Sequence, residues 1–209
     1  MIVGLTGAAG SGKDTVADIL VQYRGFQRLA FADALYDEVR TAFDVPIGLL
    51  RNRETKETPT AMLTLWRCSD KDFCKTVEDI LAARGATQID REWLSPRQIL
   101  QWWGTEYRRA QRQDYWTSRI AAMIGEQPDR RFVITDVRFQ DEADVVRDAG
   151  GIIALVVRPG IAPVSTHATE SFWRNCDPDW KIDNAGSLDD LRITVLSGKH
   201  IGSEKESVS

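Results

Sequence analysis

The sequence has few of the residues that build metal centres and disulfide frameworks. Its 209 residues include three cysteines (Cys68, Cys74 and Cys176) and two histidines (His167 and His200). The cysteines are odd in number and form no CxxC pair, and neither histidine stands at metal-ligand spacing from a cysteine. We therefore expect no zinc site, no disulfide framework and a reducing compartment.

Long apolar runs and an excess of positive charge are also missing. No segment approaches the roughly 20 apolar residues of a membrane-spanning helix, and no basic leader precedes the first strand pattern. The formal net charge of −4 argues against a protein that coats nucleic acid. We expect a cytoplasmic protein with no membrane or nucleic-acid partner. The seven tryptophans leave room for an apolar face, which favours a homodimer slightly over a monomer.

A phosphate-binding loop is present near the start of the chain. In GAAGSGKDT (residues 7–15) two glycines stand five apart and Lys13 follows at once. An apolar strand pattern precedes this loop at 2–6, and a helical pattern follows it at 15–23. Backbone N–H groups of such a loop form a nest for anionic oxygens, and the helix N-terminus adds partial positive charge. We predict that the nucleotide phosphates contact Gly10, Ser11, Gly12, Lys13, Asp14 and Thr15.

The loop departs from the commonest phosphate-loop pattern at one position. Asp14 stands directly after Lys13, where a serine or threonine is usual, and the hydroxyl comes one residue later at Thr15. This Lys-x-Thr variant resembles nucleoside monophosphate kinases rather than GTPases. Thr15 is therefore the hydroxyl that we predict to hold Mg²⁺ at the nucleotide phosphates.

A second chemical signal is an apolar strand that ends in a carboxylate. RFVITD (131–136) ends at Asp136, a pattern typical of the aspartate that holds Mg²⁺ directly or through water. Arg138 follows two residues on, where a guanidinium can stabilise the charge of a transferring phosphoryl group. We predict Lys13, Asp136 and Arg138 as catalytic residues, with Thr15 and Asp136 as metal ligands. The alternative is structural, because a strand-ending aspartate often only caps the next helix.

The order of strand and helix patterns predicts the fold class. Strand patterns alternate with helical ones, and the strands are apolar throughout, as in parallel sheets covered on both faces. We predict an α/β P-loop NTPase fold of three layers (α/β/α), with a central parallel sheet of about five strands and helical lid and substrate-binding insertions. The single kinase domain is expected over 1–201. The substrate-binding insert is expected at about 33–115, a lid-like loop at about 159–176 and a disordered tail at 202–209.

Local signals predict several element boundaries. Ser95, followed by Pro96, and Ser187 are predicted helix N-caps, and Ser69 and Asp70 are further cap candidates. A helix is predicted from Ala34 to Phe43 with Asp33 as its cap, and Gly104 is expected to kink or end the helix that starts after Ser95. The other predicted segments are a strand at 152–157, a connector at 85–94 and a turn at 184–186.

The predicted insert contains a cluster of residue types suited to a nucleotide base. QWWGTEYRR (101–109) places an amide, aromatic rings, a hydroxyl and guanidiniums within nine residues, and Trp116 follows. Gln101 could read a base edge and Trp116 could stack on it. The alternatives are core packing for the tryptophans, a solvated helix face for Arg108 and a helix N-cap for Asp33. Arg51, Arg53 and Lys56 belong to a charged run that is either a solvated surface loop or short helix, or a segment that lies along a phosphate or a nucleotide.

These motifs, taken in order, resemble the deoxynucleoside monophosphate kinases of tailed bacteriophages. The resemblance spans residue 2 to about 196 and is carried by GAAGSGKDT, FADAL, RETKE, SPRQILQWWGTEYRR, DYW, ITDVRFQDEAD and HATE. It implies a P-loop kinase that moves the γ-phosphoryl of ATP, with Mg²⁺, to a deoxynucleoside monophosphate in the host cytoplasm. It places Asp33, Gln101, Thr105, Asp114 and Trp116 near the acceptor nucleotide. Arg108 and Glu170 complete our predicted substrate-binding set.

Two positions differ from the pattern of that family, and two other functions stay open. Tyr36 stands where the FAD segment usually carries a lysine, and Thr169 replaces the serine of the HATE segment. One alternative function is a kinase of another small acceptor, such as dephospho-coenzyme A or a sugar acid, on the same scaffold. The other is a nucleotide-binding module that transfers no phosphate.

Overall fold

The computed structural model describes residues 1–52, 54–86, 92–160 and 172–201. The chain divides into two compact units. The sheet unit comprises Met1–Phe31 with Thr117–Ser209, and the helical unit comprises Ala32–Trp116. None of the helices in the described ranges is both long and apolar enough to cross a membrane.

The sheet unit is built on five parallel strands. They are β1 (Ile2–Thr6), β2 (Gln27–Leu29), β3 (Phe132–Ile134), β4 (Ile152–Val157) and β5 (Trp180–Asp183). Their spatial order is β2-β3-β1-β4-β5, and each neighbouring pair is parallel. β1 lies at the centre and all five of its residues are buried. Because parallel strands end at the same edge, the segments after β1 and β3 are neighbours at that edge.

Helices cover both faces of this sheet. The helices are α1 (Lys13–Arg24), α6 (Tyr115–Glu126), α7 (Gln140–Asp148), α8 (Phe172–Asn175) and α9 (Leu188–Leu196). Val3 and Leu5 of β1 pack into a cluster with α1 and α9, whereas Ile2 packs into a cluster with α6 and α7. Successive strand residues point to opposite faces, so these clusters are the two faces of one sheet. The three-layer α/β/α prediction is confirmed.

The helical unit has its own core. It contains α2 (Phe31–Phe43), whose first residue belongs to the sheet unit, α3 (Ile47–Arg51), α4 (Lys71–Ala83) and α5 (Pro96–Gln101), which continues as a π-helix over Trp102–Arg109. Aromatic rings fill the centre of this unit. The centroid of Phe73 lies 4.5 Å from that of Trp103 and 5.6 Å from that of Tyr107.

Local helix signals in the sequence predicted several boundaries correctly. Ser95 caps α5 in a reciprocal capping box with Gln98, and Pro96 occupies the first turn. Asp70 caps α4 by accepting a hydrogen bond from the Phe73 N–H at 3.0 Å. Ser187 caps α9 in the same way as Ser95 caps α5. Such caps depend on residues within one turn, so they can be read from the sequence.

Two boundary predictions were wrong because distant residues decide them. The sequence predicted that α2 starts at Ala34 with Asp33 as its cap, but the helix begins at Phe31 and Asp33 lies in its first turn. Gly104 was expected to kink or end a helix, but the chain passes through it as a π-helix. The Gly104 carbonyl accepts a hydrogen bond from the Trp116 indole at 3.0 Å, a partner outside the helix that suits the widened π-turn.

Some predictions fall on residues outside the described ranges. They concern Arg53, residues 87–91 of the predicted connector (85–94), most of the lid-like loop (161–171, with His167, Thr169 and Glu170) and the predicted tail at 202–209.

Candidate active site

The phosphate-binding loop lies between β1 and α1, as the motif predicted. Its glycines have left-handed backbone angles, with φ of 139° at Gly7, 79° at Gly10 and 101° at Gly12. A Cβ atom on Gly7 would overlap the Val156 carbonyl oxygen on β4, so no larger residue fits there. α1 starts at Lys13, so the positive end of its helix dipole lies at the loop.

The ammonium group of Lys13 is held against the loop itself. Nζ donates hydrogen bonds to the carbonyl oxygens of Gly7 at 2.7 Å and Ala8 at 2.9 Å. These contacts place a positive charge beside the loop amides, where phosphate oxygens are expected. The Asp14 side chain turns to an exposed ion pair with Arg28.

Asn184 is a contributor to the loop that sequence reasoning missed. It follows β5, where we had predicted only a turn, and its side-chain amide donates to the Ser11 carbonyl at 2.8 Å. A Cβ on Gly12 would overlap this amide. The C=O and N–H of a trans peptide point in opposite directions. Because Asn184 binds the carbonyl of the Ser11–Gly12 peptide, the Gly12 N–H of the same peptide points away from Asn184. Asn184 thereby fixes the orientation of this loop peptide.

The hydroxyl of Ser11 indicates that the loop fits an anionic ligand. The Ser11 side chain is buried, and its Oγ has no hydrogen-bond partner within the part of the chain that the structure describes. Leaving a buried hydroxyl unpaired costs about 1–3 kcal/mol. A phosphate oxygen in the loop would accept this bond. The orphaned Ser11 donor and the positive φ angles together fit the polyphosphate of a nucleotide.

Asp136 links β3 to the beginning of α2. It lies two residues beyond β3, and its Oδ1 accepts a hydrogen bond from the Phe31 N–H at 2.8 Å. Asp136 thus acts as a cap, but for α2 rather than for α7, the next helix in the chain. No local pattern could show this, because the two residues stand 105 positions apart.

Glu142 shapes the turn that carries Arg138 and was also missed. Its buried carboxylate accepts hydrogen bonds from the backbone N–H groups of Arg138 at 2.7 Å and Phe139 at 3.2 Å. The Arg138 side chain is exposed. The turn is therefore rigid while the guanidinium stays accessible. The signal that could have identified Glu142 is its place as the third residue of α7, from which a glutamate can reach back to the N–H of the N-cap residue.

The predicted metal ligands are few, and they suit one kind of ion. Thr15 and Asp136 supply hard oxygen donors, and Mg²⁺ is usually held by one or two protein groups together with substrate phosphates and water. Across the described ranges, no group of three or more His, Cys, Asp or Glu side chains forms a metal cluster. This donor set therefore fits Mg²⁺ that arrives with a nucleotide rather than an ion held by the protein alone.

In the helical unit, Arg108 belongs to a buried polar network centred on Glu38. The Glu38 carboxylate accepts hydrogen bonds from Trp103 Nε1 at 2.8 Å, Arg108 Nε at 2.8 Å and Tyr115 Oη at 2.6 Å. The guanidinium of Arg108 lies 4.5 Å from the Tyr107 ring centroid. Arg108 thereby holds the unit together from within, and its predicted contact with the acceptor stays a prediction.

This network gives a stability prediction. We expect Glu38→Gln to lower the free energy of unfolding by about 2 kcal/mol at pH 7. Arg108, whose side chain is 19% exposed, would lose the carboxylate to which it is hydrogen-bonded, and Asp70 at 3.6 Å would remain as a more distant charged partner. Denaturant unfolding measures the change. Asp37→Asn is the matched control, since this exposed neighbour makes only a surface ion pair with Arg40, and its cost should stay below about 1 kcal/mol.

The same network predicts how the effect depends on pH. Burial alone would raise the pKa of Glu38, but hydrogen bonds from Tyr115, Trp103 and Arg108 outweigh it and hold the pKa below its usual value. The stabilisation by this carboxylate is therefore complete above its unfolded pKa of about 4.3 and is lost as the pH falls through the lower folded value. The difference in the free energy of unfolding between the wild type and Glu38→Gln should therefore become smaller in acid. If this difference stayed constant down to pH 3, the role assigned to the Glu38 carboxylate would be contradicted.

The other predicted substrate residues differ in exposure. Gln101, Thr105 and Asp114 are exposed, and Asp114 pairs with Arg112 at 2.9 Å. Trp116 is only 5% exposed and packs against Tyr115. The burial of Trp116 favours the core-packing alternative, and its predicted stacking on a base stays a prediction.

The parallel sheet and the glycine-rich loop between β1 and α1 together define the chain as a P-loop protein, a class that binds nucleotide phosphates. The chain matches the family model of deoxynucleotide monophosphate kinase over residues 56–195, more than half of its length, and it belongs to that family. The resemblance noted in the sequence is thereby confirmed.

Two curated relatives agree with this assignment. A putative deoxynucleotide monophosphate kinase of Acanthamoeba polyphaga mimivirus is 29% identical, with 94% of this chain and 95% of the relative covered. A deoxynucleoside-5′-monophosphate kinase of Escherichia phage T5 is 28% identical over 71% of this chain and 72% of its own. Among solved structures, a dephospho-CoA kinase from Campylobacter jejuni covers 93% of each chain at 13% identity and a TM-score of 0.44, a similarity too low to bear on the substrate.

Proposed function

We propose that the protein transfers the γ-phosphoryl group of ATP to a deoxynucleoside 5′-monophosphate and releases ADP and the deoxynucleoside diphosphate. The observation that carries this proposal is the phosphate loop, with Lys13 beside its amides and the unpaired Ser11 hydroxyl within it, in a chain of this kinase family. The product is one phosphorylation short of a DNA polymerase substrate. The reaction would therefore supply nucleotides for DNA synthesis, in the host cytoplasm if the chain is of phage origin.

The loop holds the donor nucleotide in this mechanism. Its N–H groups, the partial positive charge at the start of α1 and the Lys13 ammonium bind the β- and γ-phosphates. Gly10, Ser11, Gly12, Asp14 and Thr15 line the same phosphates through their backbone or hydroxyl groups. Asn184 keeps the loop peptide in the binding orientation, so little reorganisation is needed when ATP arrives.

Mg²⁺, when bound, would neutralise charge on the β- and γ-oxygens. Thr15 would hold it through its hydroxyl, and Asp136 would hold it directly or through water. Because Asp136 also accepts the Phe31 N–H at 2.8 Å, the start of α2 keeps the carboxylate in position.

The transfer step needs positioning and charge stabilisation from the protein rather than proton transfer. An oxygen of the acceptor phosphate attacks the γ-phosphorus, the bond to the bridging β–γ oxygen breaks, and ADP departs with that oxygen. The attacking oxygen is already an anion, so no general base is required. Arg138 stabilises the charge on the equatorial oxygens, and Glu142 holds the turn from which Arg138 extends.

The acceptor nucleotide would be held mainly by residues of the helical unit. We propose that Gln101 reads the base edge and that Asp33, Thr105 and Asp114 contact the nucleotide, as the family resemblance implies. Arg108 and Trp116 would support this site from within the core. Glu170 remains part of the proposal although it lies outside the described residues.

A coupled assay of ADP release tests the proposal. Mg-ATP is offered with a panel of four deoxynucleoside and four ribonucleoside monophosphates, and with dephospho-coenzyme A and gluconate as competing acceptors. We expect a large rise in rate with one or more deoxynucleotides. A rise only with another acceptor would replace the proposed substrate. ATP binding without any acceptor-dependent rate would instead indicate a nucleotide-binding module.

A further inference from the structure

Two cations converge on one tyrosine in the helical unit. The guanidinium carbon of Arg51 lies 5.1 Å from the ring centroid of Tyr36, and Lys56 Nζ lies 5.3 Å from it. Lys56 Nζ also donates a hydrogen bond to the Tyr36 hydroxyl oxygen at 2.9 Å. Tyr36 lies on the second turn of α2, and Arg51 is the last residue of α3. We call Tyr36, Arg51 and Lys56 the basic cluster.

The basic cluster carries more positive charge than its surroundings neutralise. Arg51 forms an ion pair with Asp33 at 2.7 Å, in which both side chains are half exposed. The hydrogen-bond partner of Lys56 is an uncharged phenol. With Asp33 included, two cations face one carboxylate, which leaves a net charge of +1. A half-buried ammonium that, among the described residues, has an uncharged phenol as its hydrogen-bond partner suits an anionic ligand.

The backbone around Lys56 is anchored, so its side chain starts from a fixed point. The Lys56 carbonyl accepts a hydrogen bond from the Arg97 N–H on α5 at 2.9 Å. The next residue, Glu57, forms an ion pair with the Arg97 guanidinium. Thr60 and Leu94 join the same two segments through an antiparallel bridge. The anchored backbone distinguishes Lys56 from a lysine on a loose surface loop. Ordering such a loop when a ligand binds would cost additional conformational entropy.

We propose that the basic cluster binds the 5′-phosphate of the acceptor nucleotide. A phosphomonoester dianion would receive hydrogen bonds from the Arg51 guanidinium, the Lys56 ammonium and the Tyr36 hydroxyl, and it would balance their excess charge. This deepens the proposed function and rests on it.

Kinetics of Arg51→Met and Lys56→Met provide the first test. Each variant removes a charge but keeps a long side chain. We expect KM for the deoxynucleoside monophosphate to rise about tenfold or more, while KM for ATP stays within twofold. Lys56→Arg should recover much of the affinity, and Arg40→Met is the control because Arg40 is an exposed cation on the same helix. A denaturation curve for each variant checks that its stability is unchanged.

Equilibrium binding separates the phosphate from the rest of the ligand. The wild type and both variants are titrated with the four deoxynucleoside monophosphates and with the matching deoxynucleosides. The wild type should prefer the phosphorylated form, and the variants should lose most of that preference. If they keep it, the assignment is overturned.

The proposed function and this inference can fail separately. Acceptor-dependent turnover in the wild type, with normal KM for the monophosphate in both variants, would overturn the basic cluster and leave the kinase intact. If the wild type shows no turnover with any deoxynucleotide, the proposed function fails. In that case the binding titration still decides whether the cluster is a phosphate site.

Discussion

Replacing Lys13 with methionine should lower kcat by at least about 10²–10³-fold, the loss typical when one preorganised donor to a developing charge is removed. Lys13 contributes the only side-chain ammonium of the loop sequence, and the structure holds it at 2.7 Å from the Gly7 carbonyl and 2.9 Å from the Ala8 carbonyl. When ATP binds, these carbonyl contacts can be exchanged for phosphate oxygens. Methionine keeps the length of the side chain but removes its charge.

Steady-state turnover with saturating Mg-ATP and the best deoxynucleotide measures this loss. Lys181→Met is the matched control, because Lys181 is an exposed lysine on β5 of the same unit. Both variants should unfold at the same denaturant concentration as the wild type within error. Turnover by Lys13→Met within tenfold of the control would contradict the role of Lys13 in transfer.

Replacing Arg138 with alanine should reduce kcat by about 10³–10⁵-fold, the range known for arginines that stabilise phosphoryl transfer. The affinity of the Arg138→Ala variant for ATP should stay within a few-fold of that of the wild type. The reason is that transition-state charge on the equatorial oxygens exceeds that of the ground state, so an arginine that acts there affects kcat more than binding. The exposed guanidinium on a turn fixed by Glu142 is well placed for such a role.

The contrast between rate and affinity is the decisive readout for Arg138. Single-turnover transfer gives the rate, and equilibrium titration with an ATP analogue gives the affinity. Arg130→Ala, at an exposed arginine before β3, is the control. Equal losses of rate and affinity would assign Arg138 to binding alone, and a near-normal kcat would remove it from the mechanism.

The most reliable sequence predictions depended on neighbours along the chain. The phosphate loop, the Ser95 and Ser187 caps and the strand pattern of β4 all use residues within one turn or one strand, and each was placed correctly. The fold class followed from these elements, because apolar strands that alternate with helices form parallel sheets.

The interior of the helical unit was harder to read from sequence. An arginine four residues before another looks like a solvated helix face, yet Arg108 is enclosed by Glu38 and aromatic rings. Glu38 and Arg108 are 70 positions apart in the sequence, and no local pattern identifies such a pair. For the same reason the sequence could not show that the Trp116 indole donates a hydrogen bond to the Gly104 carbonyl in the core.

The spacing of glycines and lysine along the chain was enough to predict the class of chemistry, since a phosphate loop needs these residues at fixed positions. The tertiary structure decided which other residues serve that loop and where α2 begins. Asn184 reaches Ser11 across 173 positions, and Asp136 reaches Phe31 across 105. Strand order brings these pairs together, and it arises from burial of the whole sheet rather than from any local pattern.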